Sequence, residues 1–192
     1  MIALIDYGMG NLGSVHKALL KVGCEVQITS DAAVIEAADG VVLPGVGAFD
    51  DCMINLEQAG VIPAIKATIE ADKPFVGICL GLQVLFESSE EGTLPGLGLL
   101  PGKVVRFRHH LKIPQIGWNQ ITIHGDVPLL RGVAQGSWTY FVHSYYAEPA
   151  DDSLVATILY GRPGTAMPGW QRFMSEAEAA WIVDKLMTKF PE

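Results

Sequence analysis

A cysteine between two glycines is the residue best suited to do chemistry in this chain. Cys79 lies in the pattern Gly77-x-Cys79-x-Gly81, where the apolar run Phe75–Ile78 ends and a helical pattern over Leu80–Glu87 begins. Glycines on both sides of a sharp strand-to-helix turn let the backbone hold one side chain in a strained, exposed position. A thiol there lies at the positive end of a helix dipole, which favours the thiolate that attacks carbonyl carbons. The pattern predicts a nucleophile, and the competing interpretation is a buried structural cysteine.

Short apolar strands alternate with helical patterns through the first half of the chain. Ile2–Ile5, Gly40–Leu43 and Phe75–Ile78 have the length and composition of strands, and helical periodicity separates them. This alternation predicts an α/β fold, an open, mostly parallel, twisted sheet with helices on both faces and with these strands buried. Such sheets bind ligands beyond the carboxyl ends of their strands. Cys79 and the glycine loop Pro44–Gly47 both follow strands, although the loop can equally be a simple tight turn.

The second half of the chain has strand patterns with no long helix between them, which predicts an antiparallel extension of the sheet. The candidate strands are Lys103–Phe107, Ile121–Ile123, Trp138–Val142 and Leu154–Ile158. An amphipathic helix is predicted over Glu176–Phe190. Since no linker or repeat divides the sequence, we expect residues 1–192 to form a single domain.

Composition narrows the class of protein. Hydrophobic residues make up 49% of the chain and charged residues 18%, as in a globular protein, and the formal net charge is −8. An acidic chain with no long basic run is a poor partner for nucleic acid or an anionic membrane. Three cysteines without a Cys-x-x-Cys pair predict neither a disulfide framework nor a metal site, and fit a reducing cytoplasm. The amino-terminal residues lack the features of a signal peptide.

Five blocks of sequence resemble the class I (triad-type) glutamine amidotransferases. Within that family the chain most resembles the glutaminase subunits of imidazole glycerol phosphate synthases. The blocks have the order and spacing of that family and cover roughly residues 1–161. They are Ile5–Leu12, Leu43–Phe49, Gly77–Gln83, Pro114–Asn119 and Tyr140–Tyr146.

The resemblance implies a flavodoxin-like fold and a role for Cys79 as the nucleophile that attacks the side-chain amide of L-glutamine. A glutamyl thioester forms and ammonia is released, with no cofactor. The oxyanion is then held by the backbone N–H groups of Leu80 and of the Gly45–Val46 peptide, so Val46 is the second donor. Gly45 and Gly47 let that loop reorient.

The same resemblance implies substrate-binding roles for further residues. Gln83 lies one helical turn beyond Cys79, where its amide meets the amino-acid end of glutamine. His143, Ser144 and Tyr145 bind the α-groups of glutamine, largely through backbone atoms. The alternative for His143, within an aromatic strand, is a structural histidine.

A partner subunit is also implied. Ammonia passes to a cyclase subunit with a (β/α)₈ barrel, in a heterodimer that forms imidazole glycerol phosphate and AICAR in histidine biosynthesis. Asn11, Gln115, Trp118 and Asn119 are the candidates for that interface. The family has histidine where Gln115 stands, and Trp118 can alternatively be a core aromatic residue.

The chain departs from the family after Gly161, and most clearly over residues 162–174. A triad-type enzyme carries His-Pro-Glu near its carboxyl terminus, but the last histidine among these 192 residues is His143. A cysteine nucleophile needs a base to remove its proton and an acid to protonate departing ammonia. The alternative function is therefore a catalytically impaired or non-catalytic binding subunit of the same complex. A third hypothesis is another cysteine hydrolase, such as a peptidase or amidase.

Overall fold

A computed structural model of the chain describes residues 1–108, 113–123, 130 and 132–150. The first half alternates strands with helices as the sequence predicts. Its elements are β1 Ile2–Ile5, α1 Leu12–Lys21, β2 Val26–Thr29, α2 Ala32–Ala37, β3 Gly40–Gly45, α3 Phe49–Gln58, α4 Ile62–Glu70, β4 Phe75–Cys79 and α5 Leu80–Gln83. The described residues after α5 contain β5 Phe86–Ser89, β6 Leu100–Arg106, β7 Gln115–Gln120, β8 Trp138–His143 and β9 Tyr145–Pro149.

The central sheet has the order β2-β1-β3-β4, and all of its strands are parallel. Every residue of β1 and β3 is buried, because these strands lie inside the sheet and carry side chains on both faces. The α/β fold predicted from the alternating pattern is confirmed. The carboxyl ends of β1, β3 and β4 reach one edge of the sheet, so the segments that follow them converge there.

Two hydrophobic clusters cover the faces of this sheet. The larger one joins α3 and α4 to β1 and β3, and Phe49, Leu56 and Ile65 are fully buried within it. The smaller one packs α1 against the opposite face through Val15 and Leu19. Each helix therefore buries one apolar face on the sheet.

The strands after α5 form two smaller sheets. Strands β5, β6 and β9 make a three-stranded sheet in which β5 and β6 are parallel and β6 and β9 antiparallel. Strands β7 and β8 make a two-stranded antiparallel sheet, which we call the ribbon. The predicted antiparallel part is confirmed, but among the described residues it forms sheets separate from the central one.

One predicted helix is wrong. The pattern over Leu80–Glu87 forms only the four-residue helix α5 and then the strand β5. Backbone pairing explains the change: Gly96 N–H donates to Glu87 O at 3.0 Å, Leu97 N–H donates to Val84 O at 2.8 Å, and β5 pairs with β6. Tertiary pairing overrides the local helical preference.

Two strand predictions need correction. Ile121–Ile123 has no strand structure, because Ile121 bonds to Ser137 O and the Gln135 side chain binds both backbone groups of Ile123, which closes the β7–β8 connection. Phe75–Ile78 does form a strand, but its residues are only half-buried, since β4 lies at the edge of the described sheet. The predictions for residues 154–158, 162–174 and 176–190 lie outside the described residues.

Candidate active site

Cys79 has a strained backbone and an exposed side chain, as the glycine pattern predicts. It is the last residue of β4 and the residue before α5, with φ 55° and ψ −116°. Among described residues other than glycine, only Asp72 shares a positive φ. Such angles cost free energy and persist at functional sites, where the surrounding structure enforces them. The exposed thiol excludes the buried structural cysteine as an interpretation.

Three glycines around Cys79 are required by close backbone packing. A Cβ atom on Gly81 would overlap the carbonyl oxygen of Leu43, and one on Gly77 would lie 2.6 Å from Leu82 Cα. A Cβ on Gly45 would lie 2.9 Å from the carbonyl carbon of Leu80. The end of β3 therefore touches the start of α5, and in the strand register Gly45 is the partner of Cys79.

This contact brings together the residues predicted to stabilise an oxyanion. Leu80 is buried directly after the thiol, and its N–H belongs to the first turn of α5, where helix N–H groups have no intrahelical acceptor. Val46 follows β3 and is 51% exposed. Gly47 has φ +102°, and a Cβ there would lie 2.8 Å from Met9 Cε. The turn at Cys79 joins β4 to α5, and we call it the elbow. The loop after β3 thus lies beside the elbow and against the loop after β1.

The short length of α5 changes the electrostatics expected at Cys79. The sequence predicts eight helical residues after the thiol, whereas α5 has four, Leu80–Gln83. A macrodipole is the sum of aligned peptide dipoles, so a single turn provides much less than a long helix. Local N–H groups, rather than a long helix, are therefore the main source of positive potential at this turn.

Gln83 and Tyr145 meet next to the elbow. The Gln83 amide Nε2 donates to the backbone carbonyl of Tyr145 at 3.2 Å, which joins α5 to the start of β9. The carbonyl of Ser144 accepts a bond of 3.1 Å from Phe107 N–H. The structure brings these substrate candidates together, but both carbonyls already accept hydrogen bonds within the protein.

His143 has a structural environment. Its Nδ1 lies 2.9 Å from the Tyr145 carbonyl, which can only accept, so Nδ1 carries the proton. Its ring makes an edge contact with Phe107 at 4.8 Å between centroids and lies 5.6 Å from Phe141. These contacts favour the structural interpretation. The other histidine of the described residues, His16, is on helix α1.

The four candidates for a partner interface lie in two places. Asn11 caps α1, with its Oδ1 accepting from Ser14 N–H at 3.2 Å, and is exposed. Gln115, Trp118 and Asn119 lie on β7 in the ribbon. Trp118 is 48% exposed, so its interpretation as a core residue is wrong.

One face of the ribbon is apolar and exposed. Strand pairing places Ile116 beside Val142 and Trp118 beside Tyr140 on this face, and each is 47% to 59% exposed. The Trp118 and Tyr140 rings make an edge contact at 5.6 Å. Contiguous exposed apolar side chains of this kind mark interaction surfaces. Trp118 is predictable from its sequence block, and strand alternation alone places its apolar neighbours on the same face.

Charged groups next to the site anchor the loop before β6. Asp50, in the first turn of α3, accepts from the N–H groups of Thr93 and Leu94, each at about 3.0 Å. These bonds hold the pKa of the Asp50 carboxyl below its usual range, with the Thr93 N–H as the main cause. Glu91 accepts from Phe49 N–H at 3.2 Å, and burial raises the pKa of its carboxyl. Within the described residues no group of acidic, histidine or cysteine side chains could hold a metal ion, and no helix is long and apolar enough to cross a membrane.

This arrangement, a cysteine at a strained strand end in a parallel α/β sheet, defines a class of cysteine-dependent enzymes. The sequence matches the profile of the family described as "Glutamine amidotransferase class-I" over residues 3–162. Two solved structures share the fold. One, described as a glutamine amidotransferase, has a TM-score of 0.57 and 16% identity, and covers 79% of this chain and 76% of its own. The other, PurLQS from Thermotoga maritima, has a TM-score of 0.55 and 19% identity, with 79% and 70% covered.

Curated relatives are much closer in sequence. Imidazole glycerol phosphate synthase subunit HisH of Gloeobacter violaceus is 55% identical over 152 residues, which cover 78% of this chain and 67% of the relative. The protein of the same name from Thermosynechococcus vestitus is 54% identical over 165 residues, with 84% and 79% covered. The chain belongs to the class I glutamine amidotransferases and, within them, to the HisH family of imidazole glycerol phosphate synthase subunits.

Proposed function

We propose that the chain is the glutamine-hydrolysing subunit of an imidazole glycerol phosphate synthase and supplies ammonia for histidine biosynthesis. One observation carries the proposal: Cys79 has a positive φ at the carboxyl end of β4, is exposed, and opposes Gly45 in the neighbouring strand. The sequence identity to HisH subunits supports the same assignment.

The proposed reaction has two stages. The Cys79 thiolate attacks the side-chain carbonyl carbon of L-glutamine, the C–N bond breaks, and nitrogen leaves with an added proton as ammonia. Water then attacks the thioester carbon, which releases glutamate and returns the thiol. Charge develops on the carbonyl oxygen in both stages. Its proposed donors are the N–H groups of Leu80 and Val46, since the packing of Gly45 on Leu80 brings both segments beside the thiol.

Substrate contacts follow from the neighbours of the elbow. We propose that Gln83 and the segment His143–Tyr145 form one wall of the glutamine site, because the Gln83 amide already bonds to that segment. In this arrangement His143 supports the wall through the Tyr145 carbonyl and the ring of Phe107, and does not serve as the base. Gly45 and Gly47 give the loop after β3 the freedom to present the Val46 N–H.

Proton transfer is the step with the fewest candidate acids and bases among the described residues. The family triad would supply histidine from a His-Pro-Glu segment, and no histidine follows His143 among the 192 residues. Residues 162–174, where the sequence departs from the family, lie outside the described residues. We propose that neither described histidine is the base for Cys79 or the acid for departing ammonia; formation of the thioester needs both proton transfers.

The partner proposal concerns the exposed apolar face of the ribbon. We propose that a (β/α)₈-barrel cyclase subunit binds the ribbon in a heterodimer, with Trp118 as an anchor on the apolar face. Gln115 and Asn119, which strand alternation places on the opposite face of β7, and Asn11 at the start of α1 are the further interface residues that we propose. The 48% exposure of Trp118 supports this, because buried aromatic anchors supply much of the binding energy of interfaces. We propose a cytoplasmic location, where free thiols such as Cys79 stay reduced.

Glutamate release tests the proposal. The purified chain is mixed with the cyclase subunit of a HisH relative, and glutamate is measured with and without the Cys79→Ala substitution. We expect glutamate from the unchanged chain and none above background from the variant. Equal release from both would discard Cys79 as the nucleophile. Complex formation without any release or acylation of Cys79 would favour the non-catalytic subunit.

A further inference from the structure

A buried hydroxyl contacts the backbone near the end of β3, and a buried thiol contacts that hydroxyl. Tyr7 follows β1, is 4% exposed, and donates its phenolic O–H to the carbonyl of Pro44 at 2.8 Å. Its oxygen also lies 3.3 Å from the Sγ atom of Cys52 on α3, which is fully buried. A phenol has one proton and a carbonyl can only accept, so the Cys52 S–H must donate to the Tyr7 oxygen. A chain of two hydrogen bonds therefore runs from Cys52 on α3 through Tyr7 to the Pro44 carbonyl near the end of β3.

Both groups keep their protons at neutral pH. Burial raises the pKa of the Cys52 thiol to about 11, and burial is also the main reason that the pKa of Tyr7 is raised. Cys52 is therefore no competitor of Cys79 as a nucleophile.

Packing fixes the Pro44–Gly45 peptide at the end of β3 and leaves the Gly45–Val46 peptide free to rotate. The ring of Pro44 contacts Gly10, where a Cβ atom would lie 3.0 Å from Pro44 Cγ. Its carbonyl is bonded to Tyr7, so the Pro44–Gly45 peptide is fixed on both sides. The next peptide, Gly45–Val46, leads to a residue that is 51% exposed. Rotation about Gly45 alone would then turn the Val46 N–H toward or away from the thiol.

We propose that Tyr7 is a positioning residue for the oxyanion site, acting through its hydrogen bond to the Pro44 carbonyl. The inference rests on the function proposed above, in which Val46 N–H stabilises the oxyanion. Without the hydroxyl, the Pro44–Gly45 peptide loses its anchor, and the Val46 N–H spends less time aimed at the oxyanion. Tyr7 does not touch the reacting atoms, and Cys52 acts only on Tyr7.

The test compares two alkylating reagents on the full chain. A chloromethyl ketone analogue of glutamine places a carbonyl oxygen at the oxyanion site when Cys79 displaces chloride, whereas iodoacetamide reports on the thiolate alone. Neither reaction needs a general acid, so both rates are measurable whatever the turnover. We expect Tyr7→Phe to lower the ratio of ketone to iodoacetamide rates about tenfold, less than the roughly 10²–10³-fold of deleting a donor outright.

Matched variants separate positioning from folding. Cys52→Ala keeps the bond from Tyr7 to Pro44 and is expected to change the ratio less than about twofold. Tyr7→Phe leaves the Cys52 thiol without an acceptor, so the double variant Tyr7→Phe, Cys52→Ala removes that unpaired group and should show the same tenfold loss.

The results of this test distinguish a failure of the positioning role of Tyr7 from a failure of the proposed function. An unchanged ratio of the two rates in Tyr7→Phe and in the double variant would overturn the positioning role, even if both rates fell together. If glutamine fails to protect Cys79 of the unchanged chain from the ketone, the proposed function fails instead. A ratio that falls in both Tyr7 variants while glutamine still protects would support both.

Discussion

Replacing Cys79 by glycine is expected to stabilise the fold while it removes the nucleophile. The residue has φ 55° and ψ −116°, a region that glycine occupies readily and other residues occupy at a cost. Alanine at the same position removes the thiol but retains a Cβ atom. The comparison of Cys79→Gly with Cys79→Ala therefore isolates the backbone strain, since both variants have lost the sulfur.

The size of the difference follows from two opposing contributions. A residue held in a sparsely populated region stores about 1–3 kcal/mol of strain, which glycine relieves. Glycine also loses more backbone freedom on folding, which costs about 0.5–1 kcal/mol relative to alanine. The net expectation is that Cys79→Gly is about 1 kcal/mol more stable than Cys79→Ala.

Urea unfolding measures this difference directly. With a slope of about 2 kcal/mol per molar urea, the midpoint of the glycine variant should lie about 0.5 M above that of the alanine variant. Ala71→Gly is the control, because Ala71 is exposed and has an ordinary φ of −76°. Glycine there should lower the midpoint. A Cys79→Gly midpoint at or below that of Cys79→Ala would refute the reasoning that this turn is strained.

Three further predictions concern stability, the partner and proton transfer. Asp50→Asn should lower the urea midpoint at pH 7, because the Thr93 and Leu94 N–H groups lower the folded-state pKa of Asp50. This stabilisation is fully present above the unfolded-state pKa and is lost as pH falls through the lower folded-state pKa, so the midpoints of variant and parent should converge in acid. Trp118→Ala should weaken cyclase binding about tenfold or more in a titration while the matched control Leu20→Ala, at 49% exposure on α1, leaves it unchanged. Added imidazole should raise the glutaminase rate of the chain with saturation, because neither described histidine, His16 on α1 or His143 in its structural contacts, is proposed as the base. An unaffected rate would show that a proton donor is already in place.

The edge of the sheet that carries the site was predictable from sequence. Apolar runs that end in glycine or cysteine identify strand ends, and parallel strands bring those ends together. Cys79 and Gly45 could therefore be placed near one another before any coordinates, and the register pairs them. The overlap of a Gly81 Cβ with the Leu43 carbonyl explains why the pattern needs glycine there.

Contacts between distant segments could not be predicted in the same way. The helix expected over residues 80–87 ends at Gln83, because β5 instead pairs with β6, a partner that local periodicity does not reveal. The hydrogen bonds of Tyr7 could not be predicted from local sequence, since its partners Pro44 and Cys52 are 37 and 45 residues away. Among the described residues β7 and β8 pair only with each other, and no local pattern encodes the resulting exposure of Trp118.

The most direct measurement of the central claim is the intact mass of the chain after brief exposure to glutamine and an acid quench. A thiolate poised at the elbow should become acylated, so we predict a glutamyl adduct that maps to Cys79, disappears on treatment with hydroxylamine, and is absent from Cys79→Ala. A chain that gains no mass at Cys79 and releases no glutamate, with the cyclase present, would contradict the claim.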